Sequence, residues 1–185
     1  MRYQDLHTEA LIKACKTQNQ NAQMELYERY HRPLYQAAYS ILKNREDAQD
    51  AMQEGMIRAF EKLDQYQGEG SFEGWLRKIV IRKSIAVYHY NQQKSGDLIF
   101  ENSIELSEDP EEDNTPFPTF TPQHLEAALT KLNKRYSLIL KLYYLEGYTH
   151  EEISTLMNWS YNNCRTTLSR AKAQLKKQLH ESAKS

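Results

Sequence analysis

Apolar residues recur at three- and four-residue steps along most of the chain, in runs separated by polar or glycine-containing breaks. That spacing places side chains on one face of a helix, whereas a half-buried strand would alternate at every second position. The first run holds Leu11, Ile12 and Cys15, with Thr8 placed to cap it. The second, Tyr27, Tyr30, Leu34, Ala38 and Ile41 or Leu42, crosses Pro33. Proline lacks the amide hydrogen and clashes with the preceding turn, so a kink or a fresh start is expected there. Ala48, Met52, Met56, Ala59, Phe60 and Leu63 form the third run, and Phe72, Leu76, Ile79, Val80 and Val87 the fourth. Between these two lies Gln65-Tyr66-Gln67-Gly68-Glu69-Gly70-Ser71, a loop with two glycines whose Ser71 suits the N-cap of the next helix. Residues 1–96 therefore read as a helical bundle.

A second helical block starts near residue 123. Leu125, Leu129, Leu132, Tyr136, Ile139, Leu140 and Tyr143 make one long stripe. Gly147 suits a left-handed helix stop, and Thr149 with Glu152 three residues on forms a capping box. A short helix with Ile153, Leu156 and Met157 follows, then Asn158-Trp159-Ser160, then a helix with Tyr161, Cys164, Leu168, Ala171 and Leu175 inward. Helix, tight turn, helix is the helix-turn-helix arrangement. No period of 20 to 50 residues repeats, which excludes a solenoid. The fold expected is all-α, with two small helical domains.

Between the blocks composition changes abruptly. Residues 97–122 carry eight acidic residues and no lysine or arginine, with Pro116, Pro118 and Pro122. So little apolar surface cannot offset the entropy of ordering, and like charges hold such a stretch extended. It reads as a linker, either a solvated tether or, through Phe100, Phe117 and Phe120, a strand that anchors on a partner. The flanking blocks, 1–96 and 123–185, carry net charges of +2 and +5, so the overall charge of -1 conceals a basic C-terminal domain. A module with that balance touches nucleic acid without gripping it by charge alone.

Other chemistries find little support. The chain has 185 residues, with no apolar run near the roughly 20 residues needed to span a bilayer and no apolar signal core at its N-terminus, so a cytoplasmic protein is expected. Cys15 and Cys164 cannot make a disulfide framework and read as reduced thiols filling apolar positions. The six histidines show no ligand spacing with each other or with either cysteine, and neither a nucleophile elbow nor a phosphate-binding loop occurs. No enzyme, cofactor or metal site is expected.

Three surfaces remain. The helix before the glycine loop carries Asp47, Asp50 and Glu54 with Gln53 beside them, an acidic face that is either solvated or a docking surface for a basic partner. The helix after that loop interleaves Phe72, Trp75, Tyr88 and Tyr90 with Arg77, Lys78, Arg82, Lys83 and Lys94. Bases stack on rings while cations follow phosphates, so this mixture suits single-stranded nucleic acid, and the loop could receive an unstacked base. Trp75 borders the apolar stripe and fits the core as well as a stacking platform. In the last helix Asn162, Asn163, Arg165, Thr166, Ser169, Arg170 and Lys172 remain once inward positions are removed, the side-chain types that hydrogen-bond phosphates and base edges in a major groove.

Asp47-Ala48-Gln49-Asp50-Ala51-Met52-Gln53-Glu54, Phe60-Glu61-Lys62-Leu63 and Tyr66-Gln67-Gly68-Glu69-Gly70-Ser71-Phe72-Glu73-Gly74-Trp75-Leu76 resemble region 2 of the extracytoplasmic-function sigma factors of bacterial RNA polymerase. Leu145 to Ile153 and Leu168-Ser169-Arg170-Ala171-Lys172 resemble their region 4. The resemblance implies a promoter-specificity subunit with core RNA polymerase and promoter DNA as partners and an anti-sigma factor as regulator. Asp47, Asp50, Gln53 and Glu54 would dock on the clamp helices of the β′ subunit, and region 4 would meet the β flap. Tyr66, Gln67, Gly68, Glu69, Gly70 and Ser71, with Trp75, would pocket a flipped base of the minus-ten element, and Arg77, Lys78, Arg82 and Lys83 would hold the separated strand. Asn162, Asn163, Arg165, Thr166, Ser169, Arg170 and Lys172 would read the minus-thirty-five element, and the linker would run near the RNA exit path. The chain departs from the family pattern at Arg82, where asparagine is common, in the weakly basic stretch 88–93, at Thr167, where arginine is common, and at Cys164, where valine is common. From the residues alone, the rivals are a stand-alone helix-turn-helix regulator and an all-α adaptor that binds only proteins.

Overall fold

The computed structural model describes residues 3–95, 117 and 119–182. Every regular element among them is helical, and the chain divides into two compact units, Met1–Asn102 and Ser103–Ser185. The expected linker falls mostly outside the described residues, including Phe100 and the eight acids.

The N-terminal unit contains α1 (Thr8–Lys16), α2 (Gln20–Leu42), α3 (Arg45–Glu61) and α4 (Phe72–Ser95). Thr8 is the first residue of α1 rather than its cap; His7 holds the cap position without a side-chain bond, and the Thr8 hydroxyl lies 3.3 Å from that of Tyr30. Asn19 caps α2 by accepting from the Ala22 amide, and Asn44 caps α3 by accepting from the Asp47 amide. Nor does Pro33 start a fresh helix, because α2 runs through it as a single element. The cost of the missing amide bond is met by burial around it, with Leu34, Ala37 and Ala38 at most 1% exposed. Lys43 ends α2 in a left-handed conformation (φ 56°), so the chain reverses within two residues into α3.

Leu11, Leu26, Leu34, Met56, Leu76 and Val80 meet in one buried cluster, each worth about 1.5 to 3 kcal/mol relative to exposure. α3 and α4 approach closely at Gly55. A Cβ added at Gly55 would lie 2.7 Å from Val80 Cγ2 and 3.1 Å from Val80 Cα, so only a residue without a side chain permits the two backbones to meet.

The C-terminal unit contains α5 (Pro122–Lys131), α6 (Lys134–Leu140), α7 (His150–Met157) and α8 (Tyr161–Ser182). The single stripe expected over 125–143 is broken: Leu132 is extended, and Asn133 caps a new helix by accepting from the Tyr136 amide at 2.7 Å. One wide turn, Lys141–Leu145, extends α6 with i to i+5 bonding. Gly147 is left-handed (φ 70°), and the Thr149–Glu152 capping box is present in both directions, at 3.2 and 2.9 Å. Cys164, Leu168, Ala171 and Leu175 are buried, as is Thr167, whereas Tyr161 is not turned inward but 46% exposed. As the first residue of α8 it stands outside the packed turn that buries Cys164. Phe117 lies under the Lys176 ammonium at 5.3 Å, so this aromatic of the linker's end rests on the chain's own last helix.

Cys15 and Cys164 are free and buried, and desolvation pushes both thiols up to about 11, assisted at Cys164 by the charge of Glu151. Neither is a thiolate nucleophile near neutral pH.

Gly55→Ala should destabilise the N-terminal unit by about 1 to 3 kcal/mol through overpacking against Val80, read as loss of hydrogen-exchange protection in α3 and α4 while α5 to α8 keep theirs.

Candidate functional site

The three predicted surfaces lie on two units and are built differently. On α3, Asp50, Gln53 and Glu54 are exposed and Asp47 is half-buried. Two of the four are held from α4: Asn91 Nδ2 donates to Asp47 Oδ2 at 2.8 Å, and the Lys83 ammonium is ion-paired with Glu54. Asp50 and Gln53 stand between them. A groove of about 200 Å³ beside this row is lined by Glu54, Gly55, Ile57, Arg58, Glu61 and Lys83. Ile57 is 59% exposed there. Sequence reasoning passed over Ile57 because Met56 takes the inward place in the stripe; the signal was an apolar residue one position out of phase on an otherwise charged face.

The loop that follows is shaped by glycine and anchored by rings. Gly68 (φ 82°) and Gly70 (φ 72°) have left-handed backbones that other residues seldom adopt. The Tyr66 hydroxyl donates to the Gly70 carbonyl at 3.1 Å, closing the loop on itself. Its ring packs against Phe72 (5.1 Å) and Trp75 (5.6 Å), Phe72 and Trp75 stack at 5.6 Å, and Tyr30 meets Phe72 at 5.6 Å. Trp75 is half-buried and packs on the core cluster, so one ring serves the interior while keeping an open side. Gln67, Gly68, Glu69, Gly70 and Ser71 are exposed, and the Ser71 hydroxyl accepts from the Gly74 amide at 3.0 Å to cap α4.

Along α4, Lys78 and Arg82 are exposed and Arg77 is half-buried. Lys83 is turned toward α3 by Glu54, which separates it from the other three. The helix that carries the basic residues is thus clasped to the helix that carries the acidic ones.

In the second unit, Asn158 (φ 55°) ends α7 in the left-handed conformation, and the Ser160 hydroxyl accepts from the Asn163 amide at 3.1 Å to start α8. Asparagine tolerates that backbone better than most residues. Asn162 and Arg165 are exposed, and Thr166, Ser169, Arg170 and Lys172 are half-buried on the same stretch of α8. Asn163 differs: its Oδ1 accepts from Arg135 Nη2 at 2.9 Å and from the Thr167 hydroxyl at 3.1 Å, so its side chain serves the joint between α6 and α8. Thr167 is fully buried, with its hydroxyl on Asn163, and so belongs to the packing of the unit. Arg135, which sequence reasoning missed, also lies over the Trp159 ring at 4.1 Å. Nothing local in the sequence distinguishes it from other helical arginines.

No group of three or more histidines, cysteines or carboxylates suited to a metal ion occurs among the described residues. No helix among them is long and apolar enough to cross a membrane.

Comparison with known proteins accounts for both units. Residues 26–94 match sigma-70 region 2, and residues 123–175 match sigma-70 region 4. The chain belongs to the sigma-70 family, in its extracytoplasmic-function group. It is 27% identical to the RNA polymerase sigma factor SigV of Bacillus subtilis over 89% of this chain and 88% of that protein. With SigW of the same organism it shares 25% identity over 92% and 95% of the two chains. With SigE of Mycolicibacterium smegmatis it shares 28% identity over 82% of this chain and 59% of that protein. Among solved structures, CnrH in complex with the cytosolic domain of CnrY has a similar fold (TM-score 0.51, 21% identity, 93% of this chain and 96% of that one). A sigma factor catalyses no reaction; it directs the initiation of transcription by RNA polymerase.

Arg135→Ala removes the guanidinium between Trp159 and Asn163 and should cost the region 4 unit about 1 to 3 kcal/mol, measured by urea unfolding followed through Trp159 fluorescence in a Trp75→Phe background.

Proposed function

We propose that the two units divide promoter recognition between them, with residues 1–96 as region 2, 97–122 as a linker near the RNA exit path and 123–185 as region 4. In region 2, Asp47, Asp50, Gln53 and Glu54 dock on the β′ clamp helices of core RNA polymerase, and Asp50 carries the most weight because α4 leaves it exposed while engaging both ends of the row. The loop from Tyr66 to Ser71, backed by Trp75, receives a base extruded from the minus-ten element. Arg77, Lys78 and Arg82, with Lys83, follow the phosphates of the separated strand. In region 4, α8 enters the major groove of the minus-thirty-five element with Asn162, Arg165, Thr166, Ser169, Arg170 and Lys172, while Asn163 holds α8 against α6, and the unit rests on the β flap.

The observation that carries this reading is the aromatic loop of region 2. A glycine-shaped loop closed by its own tyrosine, floored by Phe72 and Trp75 and followed by cationic residues, is built to take one unstacked base and the strand attached to it. Extruding a base costs a few kcal/mol, and stacking in such a pocket offsets it. On this reading the protein acts in the cytoplasm, where core polymerase and promoter DNA meet. Regulation by an anti-sigma protein that covers one or both units is supported by relatives of like fold solved in such complexes, among them the sigma factor RpoE with the anti-sigma factor NepR from Bartonella quintana (TM-score 0.50, 16% identity, 85% of this chain and 96% of that one).

Asp50→Lys should abolish association with core polymerase, seen by co-purification, while the circular dichroism spectrum stays native; normal holoenzyme formation would remove the α3 face from the interface. Arg165→Ala should weaken minus-thirty-five binding by about 1 to 3 kcal/mol and relax sequence preference there. An unchanged footprint would move the base contacts off α8, and specific duplex binding by the chain without polymerase would favour a stand-alone regulator.

A further inference from the structure

Tyr161 opens α8 with nearly half of its surface exposed, although its apolar character and spacing suit the core. A lone exposed aromatic is ordinary. This one is held in place. His150, the first residue of α7, lies 6.0 Å from the Tyr161 ring, Tyr143 lies 5.0 Å from His150, and Tyr144 packs edge-on to Tyr143 at 5.0 Å. A row of four rings thus crosses from the wide turn after α6, past the start of α7, to the start of α8. The Ser160 cap and the buried Cys164 fix the first turn of α8 from the other side. The ring therefore needs no ordering when a partner arrives, which removes one of the usual costs of binding.

Its place on the helix is informative. Tyr161, Arg165 and Ser169 follow one another at four-residue steps, and Asn162 is the adjacent residue, so the ring stands on the face proposed to meet DNA. In a helix-turn-helix the first turns of the second helix meet base edges. The apolar feature that a major groove offers is the methyl group of thymine. A phosphate is the poorer match, because the exposed carboxylate of Glu151 follows His150 at the start of α7.

We propose that Tyr161 is a base-reading residue of region 4, its ring in apolar contact with the 5-methyl group of one thymine. The proposal rests on the docking of α8 in promoter DNA, and the test separates the two. Holoenzyme made with the full chain selects a promoter from a randomised library, and each thymine of the upstream element is then replaced singly by uracil. At one position the unaltered chain should lose about four-fold in affinity, the worth of one buried methyl. Tyr161→Phe should show the same loss, and Tyr161→Ala should bind the thymine site more weakly and become indifferent to uracil there. Tyr161→Leu, which keeps an apolar side chain, should retain part of the methyl sensitivity and guards against an effect of misfolding. The proposal is overturned if no thymine methyl affects binding, if the uracil loss persists in Tyr161→Ala, or if Tyr161→Phe behaves as Tyr161→Ala, which would assign the contact to the hydroxyl. Should Arg165→Ala also leave binding unchanged, the docking of α8 itself fails; a loss at Arg165 with none at Tyr161 sinks this proposal alone.

Discussion

The backbones of α3 and α4 meet at Gly55 and Val80, and the arrangement of region 2 depends on that meeting. Any side chain at residue 55 would run into the Val80 backbone as well as its methyl group, so the contact cannot be relieved by turning one rotamer. Because the helices are this close, residues on their adjoining edges face one another: Lys83 reaches Glu54 one position before the glycine, and Asn91 reaches Asp47 two turns further along. Polar links of this exposed kind are individually weak. Their value is in register, since they align the acidic face of α3 with a basic helix that would otherwise be free to slide along the apolar seam.

In region 4 the helix ends carry much of the ordering. Three of its four helices, α5 to α7, are short, and short helices are marginal on their own. Their ends are therefore fixed by side chains bonded to backbone amides, Thr121 for α5, Asn133 for α6, Thr149 for α7 and Ser160 for α8. With left-handed Gly147 and Asn158 at the intervening turns, the direction of each helix is set locally before its apolar face is buried. Arg135 then ties α6 to the turn and to α8 through Trp159 and Asn163, so that the exposed start of α8 is carried on a braced frame.

Much of this was legible in the residues. Helical periodicity locates most of the helices, because apolar spacing reports which face is buried regardless of what buries it. Gly147, Thr149 with Glu152, and Ser71 were readable since their roles are local and follow from backbone chemistry. What failed were inferences in which tertiary packing outweighs a local rule. Pro33 was expected to bring a kink or a fresh start, yet no new helix begins there and burial of Leu34, Ala37 and Ala38 carries α2 through. The run 125–143 kept its period across Leu132 and Asn133, so the cap that splits it was hidden beneath an unbroken stripe. Tyr161 fell on an inward position by spacing, but at a helix's first residue the packing partner on one side is missing. Pairings between elements, such as Lys83 with Glu54 or Arg135 with Asn163, carry no signature in one sequence, because either member has many equivalent neighbours until the fold selects one.

The charge distribution explains how a chain with net charge -1 can belong to a family that acts on DNA. Affinity for duplex DNA grows with the number of phosphates a protein neutralises, and it is indifferent to sequence. A strongly basic region 2 would bind any duplex and hold it closed. Here Lys83 is answered by Glu54, and the aromatic loop from Tyr66 to Ser71 contributes no positive charge. If the loop takes an extruded base as proposed, such a surface gains little from paired DNA and more from separated DNA, and that difference, rather than overall attraction, would favour opening. Region 4, with its more basic balance, would face the opposite demand on the proposed reading, since its target stays paired and its helix must hold to the groove while reading it.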